Sequence, residues 1–381
     1  MRSRDEPSGA AELVDRTGTR YPLDVPRWRG DDGGPLMVTP TAAMTPDEVD
    51  AGSRSHWRYR AALPAGIGRE VSLGEGHTPL VEARVGGVGL KAKLEWFNPT
   101  ASFKDRGVSV MMSMLAGQGV DAVLEDSSGN GGASVAAYAA ACGVRATILA
   151  PGSTSQNKTL QSRMHGAAVE LVPGSREQTA REALRRSAGI FYASHNWHPM
   201  FLQGVKLLAY EIWEDLGFRA PANVVVPAGA GSLVLGCGIG FGELLRAGQI
   251  ARMPRLLVAQ PENCAPIAAA FRAGAADVVA CDEWTPTIAE GTSITAPVRG
   301  PEVLAAIRDS RGEVQTVTEE QIRSATHHLA GLGLYVEPTS AVAAAAVGRF
   351  VARGLLDPDE ETVLVLTGSG LKAADALRRL V

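Results

Sequence analysis

The chain has 381 residues, 45% of them hydrophobic, and its 41 acidic and 37 basic side chains leave a net charge of −4. This is ordinary globular composition with length for two packed domains, and it excludes a basic stripe for nucleic acid. No apolar run reaches the ~18 residues that a membrane span needs.

Cys142, Cys237, Cys264 and Cys281 are far apart and show no CxxC pairing, so neither a disulfide framework nor a metal site is expected. The opening MRSRDEPSG lacks the apolar centre of a secretory signal, which makes the cytoplasm the expected location. Residues 1–70 are rich in Pro, Gly, Arg and Asp, with short apolar patches such as LVDRTGTRYPL and PLMV. They read as an N-terminal extension packed by Tyr21 and Trp28, and Asp31 and Asp32 as a solvated turn.

From Ser72 the pattern changes to short apolar strands alternating with helix-like runs. Strands are expected before SSGN and in VRATILAP, AAVELVP, IFYASH, NVVVPAG, RLLVAQP, EVQTVT and TVLVLTG. Helical spacing marks SQNKTLQSRMHG and REQTAREALRRSAG, and the Ala-rich AVAAAAVG reads as a close-packed helix. Continuous Val/Ile/Leu strands separated by helices predict an α/β fold with mainly parallel sheets flanked by helices.

Five motifs stand out along this frame. In NPTASFKDRG, Lys104 lies between Phe103 and Asp105, where extended LKAKLEWF gives way to helix-like VSVMMSMLA. A lysine there reaches a buried carbonyl or phosphate from rigid elements, or is simply solvated at a helix start. SSGNGG opens a helix with Asn130, a helix cap or a ligand donor. PAGAGSL, covering Gly229, Ala230, Gly231, Ser232 and Leu233, joins a strand to a helix as an anion cradle or as a tight turn that binds nothing. EPTSA places Pro338 in a first helical turn after Glu337, and LTGSGLK ends a strand at Thr367. Two further stretches are AEGTSI, with Glu290, and SHNWHPMF, whose His195 and His198 read as satisfied loop histidines.

In this order, from about Leu73 to the C-terminus, the motifs resemble those of the pyridoxal-phosphate (PLP) enzymes of the tryptophan synthase β-like, or type II, fold, and within them the threonine synthase and threonine dehydratase group. The resemblance implies a large PLP-binding domain from 71–105 and 204–381 and a small domain from 106–203. It implies that Lys104 holds the cofactor aldehyde as a Schiff base and acts as general base at Cα, with burial lowering its pKa. Phe103 flanks it. The Gly229–Leu233 loop takes the phosphate and Asn130 the ring oxygen; Ser127, Ser128, Gly129 and Gly131 hold the substrate carboxylate. Thr367, with Ser369 as runner-up, meets the pyridine nitrogen, and Glu337 lies near the cofactor. Glu290 either reads the substrate's amine or side chain or is a solvated loop acid.

Related enzymes often open with a zinc ribbon, but Val14, Thr17, Gly30 and Asp32 stand where thiolates would have to be, so a ribbon without metal is expected. The family's threonine synthases bind a substrate phosphate through an arginine whose position here is Phe201, and two further polar positions are Gly131 and Ala230. Phe201 is therefore expected as an apolar substrate-side wall favouring a smaller or neutral side chain. The expected activity is that of a PLP-dependent lyase on a small amino-acid substrate, eliminating or replacing a β or γ substituent. A threonine or serine ammonia-lyase and a catalytically silent binding protein are the alternatives. The expected assembly is a homodimer with no nucleic-acid or membrane partner.

Overall fold

In the computed structural model, which describes residues 11–281 and 283–381, the strands form three sheets. The polar stretch MRSRDEPSG lies outside the described residues. The first sheet joins β1 (Glu12–Val14), β2 (Arg20–Pro22) and β3 (Met37–Val38) in antiparallel order β2-β1-β3. A carboxylate organises its turn. Asp15 accepts from the Thr17 amide at 2.9 Å, the Thr17 hydroxyl at 2.8 Å, the Thr19 amide at 3.0 Å and the Tyr21 hydroxyl at 2.7 Å. A Cβ on Gly30 would lie 2.8 Å from that of Asp15, so the second turn closes on the same carboxylate. Trp28 then anchors this sheet to the rest, edge-on to Tyr192 at 5.1 Å and Trp197 at 5.4 Å.

The second sheet begins with the hairpin β4 (Leu80–Val85) and β5 (Val88–Leu94), whose turn residues Gly86 and Gly87 have φ of +60° and +88°. Two consecutive positive φ values suit glycine and give the twist a tight hairpin needs. The chain then leaves this sheet and builds a third one, wholly parallel, from β6 (Ala122–Glu125), β7 (Arg145–Pro151), β8 (Ala168–Val172) and β9 (Phe191–Tyr192), in order β8-β7-β6-β9. It returns with β10 (Asn223–Pro227), β11 (Arg255–Pro261), β12 (Glu313–Val317) and β13 (Thr362–Leu366), giving the six-stranded order β12-β11-β10-β13-β5-β4. Every pairing there is parallel except that of the hairpin.

The helices that position the site are α1 (Lys104–Gly117), α2 (Asn130–Cys142), α3 (Gln156–Met164), α4 (Arg176–Arg186), α5 (Pro199–Val205), α6 (Leu207–Asp215) and α7 (Ser232–Arg246). Alternation along the central strands explains why NVVVP and TVLVL are apolar throughout. Val224, Val226, Val363 and Val365 enter one core, while Val225, Leu364 and Leu366 enter a second on the other face of the sheet. No helix among the described residues is long and apolar enough to cross a membrane.

A buried ionic network fixes the start of α1. Arg106 donates to Glu95 at 2.6 and 2.8 Å and to Glu211 at 2.8 and 2.9 Å, and Lys93 bridges Glu211 at 2.7 Å to Asp215 at 2.6 Å. Arg106, Glu95, Lys93 and Glu211 are all excluded from solvent. One guanidinium thus ties α1 to the end of β5 and to α6, with both carboxylates satisfied.

Candidate active site

Three helices begin at one cavity of about 700 Å³. Lys104 is the first residue of α1, Asn130 the first of α2 and Ser232 the first of α7, and all three line it. The loop before Lys104 is pinned to the end of β13: the Phe103 amide donates to the Thr367 carbonyl at 3.0 Å and the Ser369 amide to the Ala101 carbonyl at 3.1 Å. Ala101 has φ of +66°, a left-handed conformation costing a residue with a Cβ about 1 kcal/mol, which the flanking bonds sustain.

Burial lowers the Lys104 ammonium to a pKa of about 7. Its Nζ lies 4.7 Å from the centre of the Phe103 ring and 5.4 Å from that of Phe201, ring faces that attract an ammonium but do not make up for the water it loses on burial. Beyond it, His195 Nδ1 is 2.9 Å from a Glu125 oxygen, and the His195 amide donates to the other oxygen at 3.0 Å. Burial raises Glu125 to about 7 and holds His195 well below its ordinary value. His195 is thus a satisfied loop histidine and also part of the cavity wall.

Glycines let the backbone close in. Gly231 has φ of +84°, and a Cβ there would stand 2.4 Å from Val303; a Cβ on Gly229 would stand 2.8 Å from the Gly291 carbonyl oxygen. The turn brings the first N–H groups of α7, which have no intrahelical partners, to the cavity wall, where an anion gains both hydrogen bonds and the helix dipole. A Cβ on Gly131 would meet His195 at 2.7 Å.

The structure gathers Phe103, Lys104, Ser127, Ser128, Gly129, Asn130, Gly131, Gly229, Ala230, Gly231, Ser232, Leu233, Glu290, Glu337 and Thr367 around this one cavity. Two expected residues are not on its wall. Ser369 accepts from the Leu371 amide at 3.2 Å and caps a short turn. Phe201 is fully buried behind Lys104, its ring 5.7 Å from that of His195 and pressed so closely on Gly107 that a Cβ there would be 2.3 Å from it. It supports the lysine's side of the cavity rather than forming a wall.

Three further cations line the wall, and of these Arg176 escapes a reading of the sequence. Arg176 opens α4, where the capping box of Ser175 and Gln178 makes GSREQ look like an ordinary helix start. Lys372 donates to the Thr100 carbonyl at 2.8 Å and to the Gln161 side chain at 2.5 Å. Lys158, on α3, pairs with Glu290 across the cavity mouth. Two more bonds hold α3 to the opposite rim, from Ser155 and Asn157 to Asp375 at 2.9 and 3.1 Å.

A lysine of depressed pKa set among helix N-termini in a divided α/β fold defines an enzyme that captures a carbonyl cofactor with a phosphate handle. The chain belongs to the pyridoxal-phosphate dependent enzymes, whose family profile matches residues 71–368. It is 36% identical over 333 residues to the threonine synthase of Methanocaldococcus jannaschii, covering 85% of this chain and 82% of that one. With the threonine synthase of Mycobacterium tuberculosis it shares 32% identity, covering 83% and 88%. Among solved structures, a threonine deaminase from T.th. superposes with a TM-score of 0.66 at 26% identity, covering 77% of this chain and 92% of that one. The processed form of threonine deaminase isoform 2 from Solanum lycopersicum superposes with a TM-score of 0.70 at 22% identity, covering 92% and 96%, a likeness of fold.

The residues present fit pyridoxal phosphate. A half-neutral amine, a glycine cradle at a helix start and the Thr367 hydroxyl surround one space, and the volume admits the cofactor with an amino acid.

Proposed function

We propose that the chain is a threonine synthase-like lyase that removes the Cα proton of a bound amino acid and eliminates or replaces a substituent at its β or γ carbon. The observation that carries this is the Lys104 amine, held at the cavity by α1 with a pKa of about 7. Such an amine takes up a proton at neutral pH and returns it, as a general base requires. When bound, the cofactor supplies the carbonyl for the amino group and the electron sink for Cα.

The chain's own groups do the rest. The start of α2, at Ser127 to Gly131, offers N–H groups and hydroxyls for the substrate carboxylate without an arginine. Asn130 and Thr367 would hold the ring's polar atoms, and the α7 turn would hold the phosphate. The Lys158–Glu290 pair spans the mouth, linking α3 to the loop that carries Glu290. The threonine synthases related over more than four-fifths of the chain favour replacement or elimination with loss of a γ substituent.

A second reading, a threonine or serine ammonia-lyase, is favoured by Glu290 in the wall of the same cavity. Incubation with serine, threonine, O-acetylserine, O-phosphoserine and O-phosphohomoserine separates the two. Threonine and inorganic phosphate from O-phosphohomoserine support the first, and ketoacid with ammonia from threonine or serine supports the second. No turnover of any of them overturns both.

A further inference from the structure

The cavity wall carries four lysine and arginine side chains, and three have tasks. Lys104 is the reacting amine, Lys158 is paired with Glu290, and Lys372 is bonded to Thr100 and Gln161. Arg176 is different. Among the described residues its guanidinium has no carboxylate within salt-bridge distance and donates no hydrogen bond. A guanidinium carries five donors in a fixed planar fork and stays charged at any working pH, so one left idle in a cavity is a receptor awaiting an anion.

Nearby acids are already engaged. Glu290 is held by Lys158, Glu337 by Asn130, Asp375 by Ser155 and Asn157, and Glu125 by His195. The neighbouring Glu177 points away, accepting from Ser175 at 2.6 Å and from Thr295 at 3.3 Å. That second bond fastens the start of α4 to the loop after Glu290, so Arg176 stands on a braced turn. Arg58, Lys206 and Arg299, the other buried lysines and arginines outside the network around Arg106 among the described residues, do not line the cavity; Arg58 pairs with Glu214 at 2.7 Å, Lys206 with Glu243 at 2.8 Å, and Arg299 donates to the Trp197 carbonyl at 2.6 Å.

We infer that Arg176 is a specificity-determining residue that receives an anionic group, phosphoryl or carboxylate, at the side-chain end of the amino-acid substrate. The inference rests on the reading of the cavity as an amino-acid site given above, and it reverses the preference for a neutral side chain expected from Phe201. The cationic fork enters the cavity from α4 while the arginine position on α5 holds a buried phenyl ring. A charge-assisted pair of this kind, lost from a partly desolvated site, changes affinity by about ten- to a hundred-fold.

Three homoserine esters test it on the holoenzyme: O-phospho-L-homoserine, O-succinyl-L-homoserine and O-acetyl-L-homoserine, titrated by the change in the cofactor's visible absorbance. At least one anionic ester should bind about tenfold or more tighter than the acetyl ester, and which one does so identifies the anion. In Arg176→Leu the ratio of acetyl to anionic Kd should fall toward one, and Arg176→Lys should recover part of it. An anionic preference absent from the wild type, or surviving in Arg176→Leu, overturns the assignment while acetyl-ester binding leaves the amino-acid reading intact. A weakened affinity for PLP in Arg176→Leu with the ester ratio unchanged also overturns it, placing the guanidinium on the cofactor phosphate. Binding of no ester at all overturns the amino-acid reading and this assignment together.

Discussion

The side-chain amide of Asn130 donates to both carboxylate oxygens of Glu337, each at 3.1 Å, joining the first residue of α2 to the cap of the helix Pro338–Ala352. Glu337 also lies 3.5 Å from the Thr367 hydroxyl, which in turn is 2.9 Å from that of Ser340. One carboxylate therefore orients two groups that come from different sheets.

Glu337→Gln keeps the shape and removes the charge. Burial raises the Glu337 pKa, so the folded chain binds this proton more readily than the unfolded chain. Stability then declines as pH rises from 4.5 through the folded-state value, and the substitution should flatten that decline in urea midpoints measured across pH. Misorienting Asn130 and Thr367 should lower kcat by about ten- to a hundred-fold and shift the cofactor's visible spectrum. An unchanged spectrum and kcat would show that the carboxylate orients neither group.

Borohydride reduction of the holoenzyme should fix the cofactor to Lys104, and peptide mapping checks this against Lys93 and Lys372. Lys104→Ala should lower kcat by about 10² to 10⁴. Because burial lowers the Lys104 pKa to about 7, reconstitution of the apoenzyme with PLP should slow as pH falls through that value, where the amine becomes protonated. The depressed pKa also means that the unfolded chain binds this proton more strongly between pH 7 and 10.5, so burying the lysine costs stability that is recovered only as pH rises through that window. Lys104→Met apoenzyme should therefore be more stable than wild type at about pH 6.

Arg106→Leu leaves Glu95 and Glu211 buried without their shared cation. The expected loss is about 3–5 kcal/mol, read from the urea midpoint. Salt should change the wild-type midpoint little, because a pair shielded from solvent is weakly screened.

The N-terminal sheet is organised by Asp15 rather than by thiolates. Purified protein should carry no stoichiometric zinc, and a chelator should leave Tm unchanged. Asp15→Ala should speed proteolysis within residues 12–38, whereas one tightly held zinc per chain would show that other ligands replace the cysteines.

What was legible in the sequence was whatever short-range chemistry dictates. NVVVP and TVLVL announce strands buried on two faces, and AGAGS and SSGN announce helix starts, because apolar runs and small residues act locally. Which starts meet was legible only through the resemblance, since contacts such as that of Phe103 with Thr367 span most of the chain. Arg176 and Phe201 show the remaining gap. A capped helix start hides a cavity guanidinium, and an aromatic in an apolar run does not reveal whether it faces a cavity or the packing behind it. Only the closeness of Gly107 settles that for Phe201.

Of the six strands in the large sheet, β13 leaves the ribosome last, yet it is inserted between β10 and β5. Until it arrives, a nascent chain carries two unpaired strand edges facing a gap, each a template for pairing with another chain. Thr367 and the carbonyl that receives the Phe103 amide follow directly behind it. Cofactor capture is thus postponed until the other twelve strands among the described residues have been made, and a message truncated before Thr362 would yield an aggregation-prone product rather than a weakened enzyme.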